Sequence, residues 1–87
     1  MTTVKILYFA SLREKLGLSE ETVEIPAEAK SIADVMTWLR QRGPEFKAAF
    51  EETAHIRAAI NQQHVTSDKP IGEDVQEIAF FPPVTGG

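Results

Sequence analysis

The residues best placed to do chemistry are Pro82-Pro83-Val84-Thr85-Gly86-Gly87. Two prolines cannot donate to a sheet ladder and favour a stiff, extended path. Thr85, Gly86 and Gly87 then add almost no side-chain bulk. Six extended residues reach roughly 20 Å. Such a segment could thread a narrow channel in another protein and present the carboxylate of Gly87 there, with the absence of a Cβ at Gly86 letting a partner's backbone close around it. A frayed terminus would have the same composition.

Other reactive side chains offer less. The sequence has no Cys, which removes disulfides, thiolate metal sites and thiol nucleophiles. His55 and His64 stand nine positions apart without an obvious third ligand, and read as solvated or turn histidines. The pairs Glu20-Glu21 and Glu51-Glu52 read as solvated carboxylates on turns. No glycine-rich phosphate loop is present, because the glycines are dispersed apart from Gly86-Gly87. No metal site and no stably bound cofactor is expected.

The chain that must position this segment has 87 residues, nine Lys+Arg against thirteen Asp+Glu for a net charge of −4, and 43% hydrophobic residues. One domain is expected at this length, with only about 60% of the unfolded chain's surface buried and little room for an enclosed cleft. The acidic balance argues against nucleic acid and anionic membranes, both of which select clustered cations. The longest apolar run, Ile6 to Ala10, falls far short of the ~20 residues of a membrane-spanning helix. No secretory layout opens the sequence, so a cytoplasmic protein is expected.

Val4–Ala10 is rich in β-branched and aromatic residues and predicts a strand. Ser11-Leu12-Arg13-Glu14 has capping-box spacing, with Gly17 where a short helix should end. Thr22–Ile25 alternates and predicts a second strand. Ser31, with Asp34 three positions on, should cap a helix whose apolar stripe is Ile32, Val35, Met36 and Leu39. Pro44–Glu52 predicts another helix through Phe46, Ala49 and Phe50. Ile56–Ile60 and Glu77–Phe81 predict strands, with Asn61–His64 as a turn. The order implies an α+β fold of the β-grasp, ubiquitin-like kind: a mixed sheet with one main helix packed on one face. Residues 1–81 would form the domain and residues 82–87 an extended tail.

Parity along the strands separates two faces. Val4, Ile6, Tyr8, Val23, Ile25, Ile56, Ala58, Ile60, Ile78 and Phe80 should face the helix. Leu7, Phe9, Ala79 and Phe81 fall on the other face. If the first and last strands are neighbours, they form one apolar patch beside the tail, a pattern that marks a partner surface. Trp38 reads as a residue at the rim of the core.

Phe80–Gly87, Val4–Glu14 and Ala58-Ala59-Ile60-Asn61-Gln62 together resemble the small subunit of molybdopterin synthase over nearly the whole chain. The eight-residue ending carries most of that resemblance. It implies a sulfur carrier that is not catalytic alone. In that family an ATP-using enzyme of the ubiquitin-activator type adenylates the C-terminal glycine, here Gly87, and sulfur then replaces AMP to give a thiocarboxylate. The tail enters the synthase's large subunit, in a complex of two small and two large subunits, and delivers sulfur to cyclic pyranopterin monophosphate to build the dithiolene. The resemblance places Phe9, Arg13 and Phe81 at the partner interface, while His64 stands where relatives often carry an apolar interface residue. Asp74-Val75-Gln76-Glu77 replaces the family's Asp-Gly-Asp-Glu turn and should take another shape, since a left-handed conformation is costly for Val. Same-fold alternatives are a ubiquitin-like protein modifier and the sulfur carriers of the thiamine pathway or of tRNA thiolation. A plain β-grasp interaction module is the alternative of another class.

Overall fold

The alternating segments pair as a five-stranded mixed sheet in a computed structural model that describes residues 2–52 and 56–82. The elements are β1 (Thr2–Tyr8), α1 (Ala10–Leu16), β2 (Glu20–Ile25), α2 (Ile32–Arg40), α3 (Pro44–Glu52), β3 (Arg57–Ile60), β4 (Gln63–Val65) and β5 (Glu77–Phe81). Their order across the sheet is β2-β1-β5-β3-β4. β1 runs antiparallel to β2 and parallel to β5, and β3 runs antiparallel to both β4 and β5. This is the α+β, β-grasp arrangement that the element order implied.

One face of the sheet packs on the helices. Val4, Ile6 and Tyr8 of β1, Val23 and Ile25 of β2, Ala58 and Ile60 of β3, and Ile78 and Phe80 of β5 are buried in one cluster with Leu12, Leu16, Ile32, Val35, Leu39, Ala49 and Phe50. Ile56 and Trp38 pack against its margin. The periodicity of α2 explains its seating, because Ile32, Val35 and Leu39 lie on one stripe. Its start is defined by the Ser31 hydroxyl, which accepts from the Asp34 N–H at 3.2 Å, while the Asp34 carboxylate accepts from the Lys30 N–H at 3.0 Å. Pro44 opens α3, a position where its missing N–H costs nothing.

Three local features depart from the sequence expectations. The Ser11 capping box does not form: α1 starts at Ala10, with Phe9 as its N-cap and no side-chain cap bond. Ala10 has φ +53°, so the chain enters the helix abruptly and Ser11 lies inside the first turn. Gly17 does end the helix, in a left-handed conformation with its N–H bonded to the Arg13 carbonyl at 2.9 Å. Asn61–His64 is not all turn. Asn61 and Gln62, at φ +48° and +72°, make a tight reversal, and Gln63–Val65 returns as β4. Finally, Glu20 and Glu21 belong to β2, and Glu51 and Glu52 to the end of α3, rather than to turns.

The 74–77 turn avoids the left-handed conformation that would be costly for Val. Val75 has no positive φ and is buried at 4% exposure. Asn61 holds the turn from across the sheet: its side-chain oxygen accepts from the N–H groups of Gln76 and Glu77 at 3.0 and 3.1 Å, and its amide donates to the Asp74 carbonyl at 3.1 Å. The matched stretch Ala58–Gln62 therefore fixes the entry to β5.

Candidate docking face and carrier tail

The face of the sheet opposite the helices is assembled by strand register. Leu7 on β1 lies beside Ala79 on β5, Ala79 beside Ala59 on β3, and Ala59 beside His64 on β4. An apolar row thus crosses the middle of the sheet. Glu20 of β2 closes it at the other end, opposite Leu7, and its carboxylate lies 3.5 Å from the Lys5 ammonium. Below the row, Lys5 and Glu77 face each other in register and help line an open polar hollow of about 430 Å³ with Asn61, Gln62 and Gln76.

Above the row the face turns aromatic. Phe81 pairs with Arg57 and remains half-buried. Its ring lies 5.1 Å from the exposed His64 ring at an interplanar angle of 56°. Phe9, just past the end of β1, donates its N–H to the Phe80 carbonyl at 3.2 Å, which ties it to the β5 edge of the patch. At 45% exposure it is a large hydrophobic side chain left open to solvent. Leu7 is half-buried, and Ala79 is buried at 8% exposure, so the centre of the row is low and flat. Arg13 is exposed on α1, four residues beyond Phe9 and off the sheet itself.

The structure therefore brings Leu7, Ala79, Phe81 and His64 together, with Phe9 at the upper margin and Arg13 beyond it. Ala59 belongs with them and was missed from the sequence, although its parity with Arg57 would have placed it on this face. Pro82, half-buried, is where β5 leaves the sheet. The remaining tail residues Pro83, Val84, Thr85, Gly86 and Gly87 lie outside the described residues, as does His55.

The opposite face carries the strongest electrostatic arrangement. The Tyr8 hydroxyl donates to the Glu21 carboxylate at 2.7 Å, and the same oxygen is 2.7 Å from the Arg42 guanidinium. Arg42 in turn lies over the rings of Trp38 and Phe46, at 5.4 and 4.9 Å. Burial, foremost, and then the bond to Glu21 push the Tyr8 hydroxyl far above the ordinary phenol range. Glu21 is thus a structural anchor between β2 and the α2–α3 junction rather than a solvated carboxylate. Among the described residues no cluster of three or more His, Cys, Asp or Glu could hold a metal ion, and no helix is long and apolar enough to cross a membrane.

The model of the ThiS family matches residues 6–87. The chain belongs to the ThiS family. As a family member it is also similar, at 34% identity over 84 residues, to the molybdopterin synthase sulfur carrier subunit of Escherichia coli (strain K12), covering 97% of this chain and 99% of that protein. The Chlamydomonas reinhardtii protein of the same name is 31% identical over 97% of this chain and 98% of its own length. Among solved structures, a Pyrococcus furiosus protein described as a molybdopterin converting factor, subunit 1, superimposes with a TM-score of 0.75 at 29% identity, covering 97% of this chain and all of that one. The small archaeal modifier protein 1 of Methanosarcina acetivorans superimposes with a TM-score of 0.70 at 25% identity, over 100% of this chain and 98% of the other. The resemblance read from Val4–Glu14, Ala58–Gln62 and Phe80–Gly87 is thereby upheld.

Proposed function

We propose that this family member is the sulfur-carrying small subunit of a molybdopterin synthase. The observation that carries this reading is the apolar row Leu7–Ala79–Ala59 on the helix-free side of β1 and β5, with Gly86-Gly87 following β5 in the sequence. Docking and delivery then share one strand: the face engages the partner while the tail reaches into it. Leu7, Phe9, Ala79, Phe81, Arg13 and His64 form the interface, and Pro82–Thr85 form the stem.

The chemistry suits a chain without cysteine. A carboxylate resists a sulfur nucleophile because it is anionic and has no good leaving group. The Gly87 carboxylate attacks the α-phosphorus of ATP on an activating enzyme of the ubiquitin-activator type, releasing pyrophosphate and leaving an acyl adenylate. A sulfur nucleophile then displaces AMP to give a thiocarboxylate, itself a nucleophile. Gly86 keeps the tail narrow enough for the large subunit's channel, where two deliveries to cyclic pyranopterin monophosphate build the dithiolene. The assembly is two small and two large subunits in the cytoplasm, and ATP is consumed by the activating partner.

Intact mass tests this. Incubation with the activating enzyme, ATP and a sulfur source should raise the mass by about 16 Da, oxygen replaced by sulfur, at Gly87. No mass change, with Gly87 deletion leaving cofactor synthesis intact, would overturn the reading. Similarity to a small archaeal modifier protein favours a second reading, covalent attachment to other proteins, which would appear as higher-mass conjugates in cells that Gly87 deletion removes.

A further inference from the structure

The apolar row on the docking face ends in an ionisable ring. We propose that His64 makes docking of the large subunit pH-sensitive, the neutral imidazole docking and the imidazolium opposing it. This rests on the function proposed above and concerns the regulation of the same face.

Three observations carry it. First, His64 is continuous with the row: β3–β4 register puts it opposite Ala59, itself opposite Ala79. A partner that covers Leu7, Ala79 and Ala59 lands beside or upon it. Second, the ring rests 5.1 Å from Phe81. His64 is exposed in the free subunit, so its ring meets water there, and a partner that covers Phe81 would cover that ring as well. Third, among the described residues strand register places no carboxylate directly beside His64. On β3 the charged neighbour is Arg57, paired with Phe81, and it adds like charge. On β5 it is Glu77, a row away and in register with Lys5; Ala59 and Ala79 bring no charge.

Docking removes water from this region, which penalises the imidazolium more than the imidazole. Histidine is also the side chain whose charge ordinarily changes between pH 5 and 8. Covering His64 would therefore favour the neutral ring in the complex. By linkage, binding then weakens as pH falls.

The test is calorimetric titration of the unmodified full chain into its large subunit at pH 8.0 and 5.5, with His64→Gln and His64→Leu beside it. The two variants cannot titrate at this position, so pH effects elsewhere on either protein remain as a common background. The wild-type dissociation constant should rise roughly fivefold more between the two pH values than that of either variant, tenfold corresponding to one pKa unit of difference between free and bound states. His64→Leu should also bind more tightly than wild type at pH 5.5. Equal pH dependence in all three proteins, or tighter wild-type binding at acid pH through a carboxylate on the partner, overturns the proposal while leaving the carrier function intact. Absence of binding at both pH values overturns both.

Discussion

The hydroxyl of Tyr8, on the core face of β1, is bonded at 2.7 Å to the carboxylate of Glu21 on β2, and that carboxylate also holds Arg42. A strand pair and a helix junction are thereby joined through one oxygen. Tyr8→Phe removes the donor without changing the packed ring, whose edge-on contacts to Phe46 and Phe50 persist. A loss of about 1 kcal/mol is expected in urea unfolding, the usual net value of such a bond.

The same contact sets an alkaline limit. The folded state holds the Tyr8 proton above the ordinary phenol value, so its contribution is fully present below about pH 10 and is lost as pH rises beyond it, where the unfolded chain can ionise. Tyr8 is the sole tyrosine, so tyrosinate absorbance reports it alone. Ionisation should coincide with unfolding, and Tyr8→Phe should lose less stability than wild type above pH 10.

Neighbouring phenylalanines on β5 should separate stability from docking. Phe80 is fully buried, whereas Phe81 is half-buried on the opposite face. Phe80→Ala should cost about 3–5 kcal/mol in thermal or urea unfolding. Phe81→Ala should cost about 1 kcal/mol while weakening large-subunit binding about tenfold or more, as truncation of an interface aromatic does. Equal losses of melting temperature and affinity in Phe81→Ala would show that its role is packing.

Asn61 should be more costly to replace than its exposure suggests. Asn61→Ala removes two acceptor contacts and one donor contact to the 74–77 turn and places Ala at φ +48°. About 2 kcal/mol is expected. Asn61→Asp keeps the acceptor for Gln76 and Glu77 and should lose less, by denaturant midpoint.

At the start of α2, Ser31→Ala removes the acceptor for the Asp34 N–H and should cost about 1 kcal/mol. Amide exchange at residues 33–35 should quicken with it.

Strongly periodic or capped segments were legible in the sequence. Pro44–Glu52 and the Ser31–Asp34 cap follow from local chemistry, and parity sorted Leu7 and Phe81 from Ile6 and Phe80. What escaped has no local signature. Gln63–Val65 is too short to alternate, and its hairpin turn uses Asn61-Gln62 without glycine. The role of Glu21 depends on Arg42, which lies 21 residues away, and pairing across such separations leaves no mark in spacing. At Phe9–Ala10 the capping-box pattern of Ser11 and Glu14 lost to a corner imposed by the end of β1, where Phe9 is already tied to β5. Ala59 was overlooked because a small residue gives little hydrophobic signal even where register makes it central.

The position of β5 has a consequence for the order of events in synthesis. Last of the strands, it sits between β1 and β3, and it alone connects the β1–β2 hairpin to the β3–β4 hairpin. A nascent chain that has not yet released residues 77–81 from the ribosome cannot form the continuous sheet, and an isolated strand pair is marginal in water. Completion of the sheet is thereby deferred to the last strand of the order, after both flanking strand pairs have been synthesised.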